Sequence, residues 1–204
     1  MHTQYLTILG ESRVEIDKLK GSRFLGCALP VKTEDAALAY LAALRAEFHD
    51  ARHHCSAWRL TPSGEPWRYS DDGEPSGSAG RPILKQIEGA ELSDVAVVVV
   101  RWFGGTKLGV GGLVRAYGAA AKAVLEAADK QLVVLTRRVE LRYPYAFEGA
   151  VQGLLSSSRL VPVESRYGEE VVLHFDVPLP RVDEFTAEFV DRTAGRGQVA
   201  YASD

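Results

Sequence analysis

Cysteine is nearly absent from this chain. Its two thiols, Cys27 and Cys55, are too few for a disulfide framework and suit a reducing compartment. Long apolar runs are missing as well. No segment reaches the roughly 20 residues that a membrane-crossing helix needs, so no membrane partner is expected. The opening MHTQYLTILGES has no basic stretch followed by an apolar one, so no signal peptide is expected and the predicted address is cytoplasmic. A dominant charge is lacking too. With a net charge of −3, the whole chain is no electrostatic trap for nucleic acid, and any basic surface has to be local. Internal repeats and low-complexity segments are not found.

Several catalytic signatures are also missing. No G-x-x-x-x-G-K-[ST] occurs, no G-x-G-x-x-G joins a strand to a helix, and no G-x-S-x-G is present. His49, His53, His54 and Cys55 cluster in sequence. On a strand, however, only His53 and Cys55 share a face, which leaves too few ligands for zinc. No metal and no cofactor are expected.

The most informative absence is local. From Val95 to Leu125 there is no Asp or Glu, while Arg101, Lys107, Arg115 and Lys122 fall inside the segment. It holds the continuous apolar run Val95–Val100, then Gly104, Gly105, Gly109, Gly111, Gly112 and Gly118, and then an alanine-rich stretch. A buried strand, a glycine-rich basic loop and a helix N-terminus together make an anion-friendly surface. Backbone N–H groups at a helix start point outward unpaired, and glycine admits close approach. The same glycines also permit a tight turn and close helix packing, with no ligand involved.

The chain in order predicts an α+β protein. Residues 13–19 alternate as a half-buried strand, and residues 23–31 form a second strand ending at Pro30. Thr33 caps a helix reaching about His49, with Ala37, Leu38, Leu41, Leu44 and Phe48 on one face. Residues 53–60 and 67–69 are strands joined by Thr61-Pro62-Ser63-Gly64. A short helix covers 81–88 and stops at Gly89. The apolar run at 95–100 does not alternate, so it is a central strand covered on both faces. The helix over 112–128 is apolar or small nearly all round and is read as buried. Asp129-Lys130-Gln131 is the break between residues 1–130 and 131–204. Beyond it come a strand (132–143), a helix ending at the serines 156–158, strands at 160–167 and 171–177, a helix around Phe185–Val190, and a strand at 197–202. That order, β-α-β-β-α-β, is the ferredoxin-like unit.

Upstream of the acid-free segment, the loop D-D-G-E-P-S-G-S-A-G-R-P (residues 71–82) sets three carboxylates before a helix entrance. Metal-dependent phosphate chemistry favours such an arrangement. A turn in which Asp71 and Ser76 bond their own backbone is an equal reading. Trp102 and Phe103 follow the strand end and are the aromatics best placed for exposure and base stacking.

Three stretches carry a resemblance: A-R-H-H-C-S-A-W-R (51–59), S-D-D-G-E-P-S-G-S-A-G-R-P (70–82) and V-V-V-V-R-W-F-G-G-T-K-L-G-V-G-G-L-V-R-A-Y (97–117). They resemble the signatures of the YigZ/Impact family, and the last is highly specific. The resemblance implies a ribosomal protein S5 domain 2-like fold for residues 1–130. For residues 131–204 it implies a ferredoxin-like domain similar to one of the translocation elongation factor, as bacterial members carry. Eukaryotic Impact proteins restrain the kinase that phosphorylates initiation factor 2 by competing for its activating scaffold on the ribosome. They use an extra N-terminal interaction domain with no counterpart in these residues, so that partner does not carry over. The resemblance brings no catalytic residues, and the fold does not decide function.

The expectation is therefore an RNA- or ribosome-associated regulator of translation or stress response. Arg101, Lys107 and Arg115 would contact phosphates, Gly104, Gly105, Gly109, Gly111 and Gly112 would allow close approach, and Ser76, Ser78 and Arg81 would add anion contacts. His53, Asp71, Asp72, Trp102 and Phe103 form a secondary set. The alternatives are an enzyme on a small phosphorylated metabolite, with Asp71, Asp72 and Ser78 near the chemistry, and a protein-binding adaptor without nucleic acid.

Overall fold

The computed structural model describes residues 2–201 as two compact α+β units that divide between Val133 and Val134. Strand β7 (Lys130–Val134) begins inside the polar stretch 129–131 and pairs with β1 (Gln4–Ile8). The run expected as one strand over 132–143 is therefore two, β7 and β8 (Thr136–Tyr143), parted at Leu135. No helix among the described residues is long and apolar enough to cross a membrane.

The first unit is built on a five-stranded antiparallel sheet of β2 (Ser12–Leu19), β3 (Ser22–Pro30), β4 (His53–Arg59), β5 (Trp67–Ser70) and β6 (Val95–Trp102). Their order is β2-β3-β6-β4-β5. The unalternating valines of β6 take the central place because both sheet faces are covered. Val95, Val97 and Val99 join the core under helices α2 (Gly80–Gly89) and α3 (Val110–Ala127). Ala96, Val98 and Val100 join the core under α1 (Glu34–Glu47). The period of two carries Arg101 onto the α2/α3 side, directly beyond Val99.

Each helix owes its seat to local chemistry. Thr33 accepts a hydrogen bond from the Ala36 N–H at 3.2 Å, and Ala37, Tyr40, Leu41 and Leu44 bury one stripe of α1. In α3, Leu113, Ala116, Tyr117, Ala120, Ala121, Val124 and Leu125 face inward. The glycine that admits this close packing is in the sheet. A Cβ at Gly26 would stand 2.5 Å from the Ala120 carbonyl oxygen, whereas one at Gly118 would meet only Gln86 at 3.7 Å.

The second unit runs β8, α4 (Glu148–Ser158), β9 (Glu164–Tyr167), β10 (Val171–Pro178), α5 (Val182–Arg192) and β11 (Gln198–Tyr201), in the expected β-α-β-β-α-β order. Its antiparallel sheet is ordered β11-β8-β10-β9. Val139, Leu141, Tyr143, Leu173 and Phe175 pack against Val151, Leu154, Phe185 and Phe189. The opposite sheet face carries charge, with Arg138 paired to Asp176 at 2.6 Å and His174 beside Glu140 at 3.7 Å.

Candidate nucleic-acid interface

The site is assembled from two glycine-containing loops, one entering α2 and the other entering α3. In the first, Asp71 turns inward. Its Oδ1 accepts from the Ala79 and Gly80 N–H groups at 3.0 and 2.9 Å, and its Oδ2 accepts from Gly77 at 2.8 Å. Asp71 is thus the cap of α2, supplied from eight residues upstream of the capping position Ala79, which has no capping side chain itself. Asp72 is equally occupied. It accepts from the His54 N–H at 2.6 Å and from Arg45 at 2.6 Å. Ser78 is buried, with its hydroxyl facing no partner, and Ser76 is exposed. Asp71 and Asp72 are thus committed to partners within the fold, and Ser78 is shut off from solvent.

Glu74 behaves differently. Its side chain is 5% exposed and runs beneath α3, where Oε1 accepts from Arg101 Nη1 at 2.5 Å and from the Tyr117 hydroxyl at 2.7 Å. His53, opposite Arg101 in the β4–β6 ladder, brings Nε2 to 3.7 Å from the same oxygen. His53 Nδ1 lies 2.8 Å from the Asp72 carbonyl oxygen. A carbonyl only accepts, so Nδ1 carries a hydrogen and Nε2 is the nitrogen facing Glu74. Burial pushes the Tyr117 hydroxyl and the Cys55 thiol well above their ordinary pKa values, so both stay protonated around neutral pH.

Arg101 requires a correction. Expected as a phosphate contact, it is 5% exposed, ion-paired to Glu74, and close to the Ser22 hydroxyl at 3.3 Å. A cation at the end of a wholly buried strand needs a carboxylate, because leaving it unpaired costs several kcal/mol. Gly104 also serves the chain. A Cβ there would lie 1.9 Å from the Gly21 carbonyl carbon, so the residue lets the loop rest on the β2–β3 turn. Trp102 turns toward α1, where it donates to Asp50 at 2.9 Å, packs edge-on against Phe48 and lies under Arg23. Arg81 is exposed on α2 and does not line the cavity described next.

The second loop remains open. Gly105 and Gly109 hold φ of +87° and +72°, and α3 starts at Val110, two residues before the expected start. No side chain caps it and no acid lies in its first turn. The first intrahelical bond runs from Leu113 N–H to Gly109 O at 2.9 Å, so the N–H groups of Val110, Gly111 and Gly112 have no partner within the helix. Lys107 and Arg115 are exposed and, among the described residues, have no carboxylate within 4.0 Å. Gly112 is half-buried and Gly111 exposed. Arg52, which the sequence reading passed over, is exposed with its guanidinium 5.8 Å from the Phe103 ring centroid.

Between the loops lies a cavity of about 460 Å³. Its floor is His53, Glu74 and Arg101, and its rim is Arg52, Phe103 and Lys107. Leu108, Val110 and Leu113 supply an apolar wall. The Arg101–Glu74 pair is a structural floor, and the rim holds the charge available to a ligand. The signal for this was in the sequence: a buried arginine ending a run of valines demands an acid, and His53 falls on its face.

Comparison with known proteins agrees with the motifs. The model of the Impact N-terminal domain matches residues 20–125, and that of a domain of unknown function, DUF1949, matches residues 141–196. The chain is 34% identical over 186 residues to IMPACT family member YigZ of Escherichia coli (strain K12), covering 90% of this chain and 91% of the relative. It is 45% identical over 162 residues to the IMPACT family member in pol 5'region of Thermus thermophilus, covering 79% and 86%. A crystal structure described as a hypothetical protein superposes with a TM-score of 0.72 at 32% identity, covering both chains fully.

Proposed function

The chain belongs to the Impact family, and from that premise we propose that it is a cytoplasmic RNA-binding regulator of translation that takes an RNA backbone on the entrance to α3. We assign the S5 domain 2-like fold to the first unit, on its five-stranded sheet with helices on both faces. To the second unit we assign the ferredoxin-like fold, on its element order. One observation carries the functional reading. The α3 entrance combines helix N–H groups that have no partner within the helix with the exposed ring of Phe103 and the cations Lys107, Arg115 and Arg52, which have no carboxylate within 4.0 Å among the described residues. Backbone amides and cations hold phosphates without reading sequence, and an aromatic ring stacks on any base. Ribosome association is the natural setting for such a surface.

The test is fluorescence anisotropy with a short labelled oligouridylate over a salt series. Single-strand binding gives a log–log slope of about −0.7 per phosphate neutralised. Lys107→Ala with Arg115→Ala should weaken binding and flatten the slope by about 1.4. Binding that ignores both cations would overturn the reading.

A further inference from the structure

The floor of the cavity contains a feature that phosphate recognition alone leaves unused. Among the described residues, every polar contact to the Glu74 carboxylate falls on Oε1: Arg101 at 2.5 Å, the Tyr117 hydroxyl at 2.7 Å and His53 Nε2 at 3.7 Å. No donor among the described residues reaches Oε2. This side chain is 95% buried and lines the cavity beneath a cationic rim. A carboxylate oxygen only accepts hydrogen bonds, so what enters here has to bring a donor. Glu74 Oε2, an acceptor with no donor among the described residues and set under a cationic rim, suits a ligand with a hydroxyl or N–H at one end and an anion at the other. The apolar wall and the half-exposed Phe103 add room for a planar ring.

Resting on the RNA-binding reading, we infer that this cavity is a single-ribonucleotide pocket that separates RNA from DNA, with Glu74 Oε2 accepting from the ribose 2'-hydroxyl. The phosphate is held at the rim by Lys107 and the N–H groups of Val110, Gly111 and Gly112, and the base lies against Phe103. The cavity's size, about 460 Å³, falls in the roughly 300–1,000 Å³ range of small-molecule sites. A deoxyribonucleotide would bring no donor to Oε2, and sites built to bond a hydroxyl reject analogues that lack it. The 2'-hydroxyl is also the group that distinguishes the two nucleic acids chemically.

The experiment varies the ligand, so that the Arg101–Glu74 pair stays intact and folding is not in question. Anisotropy on the full chain compares oligouridylate, oligodeoxyuridylate and 2'-O-methyl oligouridylate of one length. Ligand-observed NMR compares uridine and deoxyuridine monophosphates, with wild type and Phe103→Ala. The expected result is RNA about tenfold tighter than DNA, as for a bond to a charged group. The 2'-O-methyl strand should fall to the DNA level, and Phe103→Ala should weaken the ribonucleotide. Equal affinity for all strands and both nucleotides overturns the pocket and leaves the phosphate surface standing. Selective binding of the ribonucleotide without salt-dependent strand binding upholds the pocket and overturns the RNA-backbone reading. Binding of none of these probes overturns both.

Discussion

Two glycine-rich loops enter two helices on the same side of one sheet, yet they deal with the helix N-terminus in opposite ways. At α2 the chain supplies its own anion, Asp71, to three N–H groups. At α3 it supplies none, excludes acids from the first turn, and leaves Lys107 and Arg115 exposed beside it. The unmet electrostatics of a helix start is the same in both. Where it is met internally the loop is architecture, and where it is left to solvent the loop is a surface for an external anion. Glycine content does not tell the two apart; the position of the acids does.

The largest expected effect comes from cutting the link between the two loops. Arg101→Ala leaves Glu74 without its partner beneath α3, and urea unfolding should show a loss of about 3–5 kcal/mol. A loss below about 1 kcal/mol would mean the pair is not the floor described. Next comes the capped entrance. Asp71→Ala removes an acceptor shared by three N–H groups and should cost about 2 kcal/mol. Oligouridylate affinity per folded molecule should change by less than about twofold. Loss of binding in proportion would make the acidic loop part of the interface and collapse the comparison.

How much of this was legible beforehand follows from range. The central place of β6 could be read because six consecutive apolar residues have no polar face to expose. Helix α1 could be read because its cap and stripe are local. Strand β1 was not seen: QYLTI is short, and its pairing with β7 and its bridge from Leu6 to Leu92 are long-range. The break at Leu135 has no glycine or proline to announce it. At the site, the cationic loop and exposed Phe103 were visible as composition. The local backbone bonding of Asp71 was one of the open readings, and it is met at the α2 start only six to nine residues on. The fates of Asp72 and Glu74 were not visible, because their partners Arg45 and Arg101 lie 27 residues away.

The smallest effect lies on the α1 side of β4, where His54 is buried and burial lowers its pKa, with Asp72 opposing and Arg45 adding to the shift. The folded value lies below the unfolded one of about 6.5, so the unfolded chain takes up the proton first. This contribution is complete above the unfolded value and is lost as pH falls through the folded one. His54→Gln should therefore flatten the fall in stability below about pH 6.5, measured by urea titrations across that window. An unchanged pH profile would assign the acid sensitivity to the carboxylates.

The contrast between the two entrances can be measured at the amides themselves. In two-dimensional NMR of the full chain titrated with oligouridylate, the account predicts shifts at the N–H groups of Val110, Gly111 and Gly112. Those of Gly77, Ala79 and Gly80, already held by Asp71, should stay in place. Shifts confined to the α2 entrance, or absent from the α3 entrance at saturation, would contradict it.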